Sequence, residues 1–144
     1  MSFRIETTRY DQHQTCIQWV RRKVFIEEQG IDPALEWDVH DAEATFAVAL
    51  NAQNEVIGTG RLLHNGKIGR MAVLPAYRRQ GIASALLQHL LRLAKQQGHQ
   101  HVVLSAQQSV MALYLKHGFE PVGPPHEEVG IPHQTMQCEI NNPA

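Results

Sequence analysis

The sequence predicts an α/β domain with a mixed central sheet of about six to seven strands and helices on both faces. Three apolar runs separated only by turns, TFAVAL, VIGTGRLLH and KIGRMAVL, predict an antiparallel meander. Apolar residues then recur at helical spacing from Gly81 to Gln97. The buried strand HVVLSA follows, and strand, helix, strand requires a crossover that makes 68–73 and 101–106 parallel neighbours.

Length and composition favour a single domain of residues 1–144. A chain of 144 residues can bury one hydrophobic core, and 43% hydrophobic residues exclude a disordered tail. A formal net charge of -1 does not favour nucleic acid or an anionic membrane as partner. No apolar run approaches the roughly 18 residues that span a bilayer, no signal peptide precedes MSFRIETTRY, and the two cysteines lack CxxC spacing. We expect a cytoplasmic protein.

Strand and helix signals organise the N-terminal third of the chain. FRIETT alternates as a first strand should, and Asp11 with Gln14 resembles a capping box. Helix one then runs to about Gln29 and ends at Gly30, with an apolar stripe of Cys16, Ile17, Val20 and Val24. IDPALEWDVHDAEA is predicted to be a loop with one short helical turn, in which Asp38 and Asp41 favour capping or turn roles over a paired acid site.

Turn residues organise the rest of the chain. Asn65-Gly66 between apolar runs predicts a hairpin with a type I′ turn. SVMALYLKH predicts a short helix ended by Gly118, and FEPV with QTMQCEI predicts a closing pair of strands. HEEVGIPH is then the loop between those last two strands.

The stretch VLPAYRRQGIASALLQHLL, residues 73–91, joins an apolar strand to a helix start through two arginines and a glycine. A helix start leaves about four backbone N–H groups unpaired and carries roughly half a positive charge, so it binds phosphate. Gly81 admits a ligand close to the backbone, Ala83 keeps the first turn free of bulk, and Arg78 and Arg79 favour a diphosphate. The GxxxxGK[ST] pattern of nucleotide-binding loops is absent.

RRQGIA resembles the signature Q/R-x-x-G-x-G/A of the Gcn5-related N-acetyltransferase (GNAT) superfamily, met here by Arg78, Gly81 and Ala83. ALYLKHGF resembles its second conserved block, and VRRKVFIEEQ and EEVGIPHQTM resemble the ElaA-like and YjcF-like branch. The resemblance implies that acetyl-CoA is used to acetylate a primary amine of a small molecule by direct attack in a ternary complex. The alternative from another class is a non-catalytic module that senses CoA or acetyl-CoA.

The resemblance also implies where the coenzyme binds. Strands four and five splay at a bulge, the pantetheine arm enters the gap like an extra strand, and the diphosphate lies on the following helix start. The amide of Val73 is then an oxyanion donor, a role worth about 3 kcal/mol. Gln107 stands where many members of the superfamily have an asparagine. The cofactor-binding residues so implied are Met71, Ala72, Val73, Arg78, Arg79, Gln80, Gly81, Ile82, Ala83, Ser84 and Gln107.

Three catalytic residues are implied. Tyr114 corresponds to a tyrosine that protonates the coenzyme sulfur in many members, its alternative being plain packing among Ala112, Leu113 and Leu115. Glu28, at a helix C-terminus where a carboxylate is unfavourable, is the first candidate base, or else a solvated helix end. His133, held extended after a proline, suits a proton relay or a structural hydrogen bond.

Acceptor residues come from helix one and the last loop: Arg21, which could bind an acidic group or be a surface cation, with Gln29, Glu127 and Glu128. No metal site is expected, because His99 and His101 have no third ligand at suitable spacing. A homodimer is common in the superfamily, although no exposed stripe predicts one here.

Overall fold

The computed structural model describes residues 2–140, and eight strands within that range form two sheets. The first sheet has the antiparallel order β1-β2-β3-β4, and the second has the order β5-β8-β6, with β7 also paired to β8. The strands are β1 Phe3–Arg9, β2 Thr45–Asn51, β3 Val56–Leu62, β4 Ile68–Val73, β5 His101–Gln107, β6 Glu120–Pro121, β7 His126–Glu128 and β8 Ile131–Glu139.

Four α-helices cover the sheets: α1 Tyr10–Arg21, α2 Pro33–Glu36, α3 Ile82–Gln96 and α4 Met111–Lys116. A π-helical segment, Arg22–Glu28, continues α1, and short 3-10 turns occupy Val39–Glu43, Pro75–Tyr77 and Gln108–Val110. The meander and the long helix α3 are therefore confirmed. None of the helices in the described part of the chain is long and apolar enough to cross a membrane.

Helices lie on both faces of the first sheet, as predicted. A side-chain carbon on Gly60 would come within 2.8 Å of Leu90 of α3, so this face of β3 meets α3. The next residue, Arg61, points to the opposite face and binds Asp41, which also binds Arg21 at the end of α1. Because β2 lies between these two layers, it is buried almost along its whole length.

Strands β4 and β5 run parallel and diverge. Lys67 forms a parallel bridge with Val103, whose N–H donates to the carbonyl of Gly66 over 3.2 Å. No other pairing joins the two strands within residues 2–140, so the predicted parallel neighbours meet at one bridge rather than along a ladder. A bulge in β4 places Arg70 and Met71 opposite Gly60, and Arg70 takes a φ of +51°.

The first helix differs from the prediction in three details. Its N-cap is Arg9 and makes no side-chain cap bond, while Thr8 contacts His13 Nδ1 at 2.7 Å, so the Asp11–Gln14 capping box is wrong. The α-helix ends at Arg21, and its continuation to Glu28 is π-helical. Ile17, Val20 and Val24 are buried as predicted, but Cys16 is exposed.

Two turns also differ. The hairpin at Asn65-Gly66 is confirmed, yet only Gly66 has a positive φ, so the loop is a three-residue turn rather than type I′. HEEVGIPH is not a loop, because its first residues form β7 and pair with β8. The type I′ geometry occurs here, with φ of +48° at Val129 and +77° at Gly130. The expected single domain of residues 1–144 stays a prediction, since Met1 and 141–144 lie outside the described residues.

Candidate functional site

The loop before α3 presents six consecutive backbone N–H groups with no acceptor. None of the amides of residues 79–84 donates a hydrogen bond within residues 2–140. Arg79 and Gly81 have φ of +65° and +82°, and Gly81 is the N-cap of α3 without a side-chain cap bond. Ile82 anchors this turn in the core at 2% exposure. Unpaired donors at the positive end of a fifteen-residue helix make an anion-binding surface.

The free edge of β4 supplies further donors. The amide of Leu74 donates to the carbonyl of Ile57 on β3 over 2.9 Å. Because neighbouring residues of a strand direct their backbone groups to opposite sides, Val73 directs its N–H and C=O toward the gap between β4 and β5. Its carbonyl accepts a hydrogen bond of 3.0 Å from Arg78 Nε, and its N–H has no acceptor in the described part of the chain. These unpaired groups suit the extended amide chain of pantetheine.

Met71 is the first residue of this edge after Arg70. The Met71 side chain passes over Gly60 of β3, opposite the bulge. A β-carbon at position 60 would lie only 2.5 Å from Met71 Sδ, so the Met71 side chain fits there because residue 60 is glycine. Ala72 lies between Met71 and Val73, whose backbone groups face the gap. Its side chain is 4% exposed and anchors the strand in the core.

Glu28 and Arg78 form a two-point ion pair. Arg78 donates from its two terminal nitrogens to the Glu28 oxygens over 2.6 and 2.7 Å, while its Nε bonds to the carbonyl of Val73. These hydrogen bonds hold the pKa of Glu28 below its ordinary value. The pair therefore joins the end of the π-helical segment to the end of β4, and it engages both the predicted candidate base, Glu28, and one of the two arginines predicted to favour a diphosphate, Arg78.

Tyr114 lies on α4, whose C-cap residue His117 contacts Ser84 in the first turn of α3 over 3.1 Å. The Tyr114 side chain is 6% exposed and packs edge-on against Phe119, with ring centroids 5.8 Å apart. Burial raises the pKa of its phenol to about 12. The hydroxyl makes no hydrogen bond to any residue the structure describes, yet it is not among the polar atoms cut off from solvent. The Tyr114 hydroxyl is therefore protonated at neutral pH, reaches solvent, and can donate a hydrogen bond or a proton.

His133 is buried at 7% exposure and fixed in one tautomer. Its Nδ1 lies 2.7 Å from the carbonyl of Ile131, which only accepts, so Nδ1 carries the proton. Nε2 has no partner within the described residues. His133 is the direct cross-strand neighbour of Gln107, so both side chains lie on one face of the second sheet.

A polar cluster surrounds His133 on that face. The rings of His126 and His133 stack with centroids 6.2 Å apart, and His126 Nε2 donates to Glu128 over 2.6 Å. Ser105 also donates to Glu128. Burial by itself raises the pKa of Glu128, but the hydrogen bonds from Ser105 and His126 outweigh it and lower that pKa. Glu127 points away into solvent at the edge of β7.

Contacts connect this face to the free edge of β4. Gln107 donates from its side-chain amide to Gln29 over 2.8 Å, bridging β5 and the end of the π-helical segment. Gln29 follows Glu28, which binds Arg78, which binds the carbonyl of Val73. The predicted residues of helix one, β4, β5 and β8 are thus brought together around one gap.

Arg21 does not belong to this gap. It is 0% exposed, and it donates to Glu36 over 2.5 Å and to Asp41 over 2.9 Å. With its donors committed to buried acids, Arg21 has none for an acceptor, and both suggested roles, ligand and surface cation, are wrong. Asp38 caps the amide of His40 over 2.9 Å, so its capping role is confirmed.

Sequence reasoning missed Ser105, His126 and Arg70. His126 and Glu128 lie two positions apart on β7 and so share one face of the strand. The surrounding prolines and glycines predict a loop, so this strand was not recognised in the sequence. Arg70 has no local signal, since its importance comes from a bulge that only pairing with β3 reveals. Within residues 2–140 there is no group of three side chains suited to a metal ion.

Comparisons with known proteins show which family this chain belongs to. A family model described as an acetyltransferase (GNAT) domain matches residues 7–140. The uncharacterized protein YyaT of Bacillus subtilis (strain 168) is 32% identical over 98% of this chain and 97% of its own. The uncharacterized N-acetyltransferase YjcF of the same organism is 30% identical over 82% of this chain and 86% of its own.

A solved structure is also similar over nearly the full length. The crystal structure of an acyl-CoA N-acyltransferase from Pseudomonas aeruginosa is 27% identical, with a TM-score of 0.84. The match covers 95% of this chain and 99% of that chain.

Proposed function

Because this chain belongs to the GNAT family of N-acetyltransferases, we propose that it transfers an acetyl group from acetyl-CoA to a primary amine of a small molecule. The family confirms the enzyme class and the recognition made from RRQGIA. The acetyl donor, the small-molecule amine and direct attack in a ternary complex belong to the proposal.

One observation carries the proposal: the run of unpaired amides at 79–84 lies beside a strand edge with free backbone groups at Val73. The first feature suits a diphosphate and the second an amide chain, and acetyl-CoA contains both. In this proposal Gly81, Ile82, Ala83 and Ser84 bind the diphosphate through their amides, with Arg79 and Gln80 beside them. Met71, Ala72 and Val73 bind the pantetheine arm.

Three groups of this chain carry the transfer. Acetyl-CoA supplies the acetyl group as a thioester, which the neutral amine attacks, so that a C–N bond forms and the C–S bond breaks. The Val73 amide stabilises negative charge on the acetyl oxygen. His133 Nε2 accepts the proton that the amine releases, and Tyr114 donates its proton to the departing sulfur. The hydrogen bond from His133 Nδ1 to Ile131 leaves Nε2 without a partner among the described residues, and the raised pKa of Tyr114 keeps its phenol protonated at neutral pH.

Glu28 and Arg78 receive a different role from the one the sequence suggested. A carboxylate with a lowered pKa and both oxygens bound is a weak base, and a guanidinium bound to Glu28 and Val73 has few donors left for a diphosphate. We assign them to holding the end of β4 against the π-helical segment. The hydrogen bond between Gln107 and Gln29 holds β5 beside the end of the π-helical segment, across the gap from β4. Glu127 and Glu128 are assigned to the border of the acceptor site.

The test follows release of free thiol from acetyl-CoA across a broad panel of primary amines, for wild type and Tyr114→Phe. We expect turnover with wild type and a loss of about 100-fold or more in the variant, since general acid catalysis contributes on this order. Tyr10→Phe is the matched control, because the Tyr10 hydroxyl only accepts a hydrogen bond from Gln18 on α1.

Three results would count against the proposal. Tight binding of acetyl-CoA without turnover on any amine would favour the CoA-sensing module. A Tyr114→Phe enzyme as fast as wild type from pH 7 to 9 would remove the phenol from the mechanism. Turnover with double-displacement kinetics would exclude direct attack in a ternary complex.

A further inference from the structure

Six charged side chains form a buried ion network beneath α1, which we call the Arg21–Arg70 network: Arg21, Glu36, Asp38, Asp41, Arg61 and Arg70. Arg21, Glu36, Asp41 and Arg61 are each less than 5% exposed. Three cations face three anions, so the network is neutral. It joins four separate pieces of chain: the end of α1, the segment from α2 to the following 3-10 turn, β3 and the bulge in β4.

Arg70 is the outermost member, and it sits in the bulge itself. Its terminal nitrogen donates to the carbonyl of Glu36 over 3.3 Å and lies 3.7 Å from Asp38, and its Nε lies 3.4 Å from the Glu36 carboxylate. Its φ of +51° is one that an arginine rarely adopts, at a cost of about 1 kcal/mol. A strained residue persists only where its surroundings hold it, and here the network is what holds its side chain.

The bulge decides which amide faces the coenzyme gap. Before the bulge β3 and β4 pair as Arg61 with Gly69, and after it as Thr59 with Ala72. The backbone N–H groups of a strand point alternately to its two sides. Adding or removing one residue at the bulge would therefore turn the Val73 N–H toward β3 and direct a neighbouring amide into the gap. The orientation of the Val73 N–H therefore depends on the bulge keeping its extra residue.

Stability alone does not account for the network. A buried ion pair costs about as much in desolvation as it returns in attraction, so apolar residues of similar volume often do as well. What such a network provides is a defined geometry. Here it provides a rigid attachment for the bulge, from the α1 face of the first sheet.

We propose that Arg70 is a positioning residue: anchored by Glu36 and Asp38, it holds the β4 bulge and thereby the Val73 amide. The geometric part stands on the ion pairs and the register alone, and its effect on catalysis rests on the proposed function. Arg70 touches neither the gap-facing amide nor any proposed catalytic group, so it acts through the backbone.

Arg70 can be removed without leaving any one acid unpaired, although two cations then face three anions. Glu36 keeps Arg21, and Asp38 keeps Arg61. Arg70→Gly is the informative variant, because glycine tolerates the positive φ, so the whole side chain is lost without added backbone strain. Asn54→Gly is the matched control: Asn54 has a φ of +63° in the turn between β2 and β3, outside the network. Arg70→Lys tests whether charge without the planar fork restores the function.

The experiment combines amide hydrogen exchange with kinetics. In Arg70→Gly we expect the Leu74 amide, which bonds to Ile57, to exchange about tenfold faster or more, with a thermal midpoint within a few degrees of wild type. We expect kcat for thiol release to fall about tenfold and the KM for acetyl-CoA to rise by less, since the diphosphate cradle is untouched and only the pantetheine edge is disturbed. Arg70→Lys should lie between Arg70→Gly and wild type, and Asn54→Gly should match wild type.

Exchange at Leu74 as slow as in wild type would overturn the positioning role. A uniform rise in exchange with a lower thermal midpoint would overturn it too, because it would make Arg70 merely a stabilising residue. If exchange accelerates locally but no protein, wild type included, releases thiol from acetyl-CoA, the positioning role stands and the proposed function fails.

Discussion

Glu28 and Arg78, fifty positions apart in sequence, share two hydrogen bonds that join the free edge of β4 to the end of the first helical segment. Arg78 also binds the carbonyl of Val73, so the pair fixes the residue whose amide faces the gap. Two residues that the sequence assigned to separate tasks, catalysis and diphosphate binding, therefore act together on the backbone.

Glu28→Gln should lower stability only where Glu28 is ionised. Its pKa is lowered in the folded state, so the pair stabilises the protein above the ordinary pKa of glutamate and loses that effect as pH falls through the lowered value. Because both side chains are over a third exposed, we expect a loss of about 1 kcal/mol or less near pH 7. Denaturant unfolding at pH 7 and at pH 3 measures it. An equal difference at both pH values would contradict the ion pair.

The diphosphate site is tested by comparing the two ends of α3. Gly81 and Gly98 both have positive φ, with open space where a side chain would begin. Gly81→Glu and Gly98→Glu should therefore cost similar stability, about 1 kcal/mol each. Only Gly81→Glu places a carboxylate against the amides of 79–84, and we expect it to weaken CoA binding more than tenfold by calorimetry. Equal affinities for CoA in the two variants would refute the site.

Because the phenol of Tyr114 is buried, we expect the folded protein to lose stability in strong base. The folded pKa of Tyr114 is raised from 10 to about 12, so the folded state holds this proton longer than the unfolded chain. Stability is therefore full below pH 10 and falls as pH rises toward 12, by an amount on the order of 2 to 3 kcal/mol. Tyr114→Phe should lack this component. Parallel unfolding curves for the two proteins between pH 9 and pH 12 would show that the phenol is not shielded.

His133→Asn separates the proposed base from its structural hydrogen bond. The asparagine amide can still donate to the carbonyl of Ile131, but it cannot take a proton. We expect little change in thermal midpoint and a rate of thiol release at neutral pH lower by about 100-fold. His101→Asn, on the exposed side of β5, is the control. A rate in His133→Asn equal to that of wild type would assign the proton to another group.

Local sequence patterns were enough to predict the helices and strands whose apolar residues repeat at a regular spacing. The predicted helix from Gly81 to Gln97 is observed at Ile82–Gln96, because its apolar residues repeat along one face. The predicted strands of the meander are observed for the same reason. The strand β7 was missed, because three residues pair with β8 across a Val129-Gly130 turn in which the valine is strained.

The sequence by itself determined the family, the order of the central strands and the long helix, and the glycine that opens a cradle of backbone amides. Those features depend on residue type and spacing within a short stretch of chain. Tertiary structure alone decided that Glu28 binds Arg78, that Arg21 is buried, and that Arg70 anchors the bulge. Each is a contact between distant charged side chains. Charged residues at the surface and in a buried pair look alike in sequence, since only packing sets whether water or a counter-charge surrounds them.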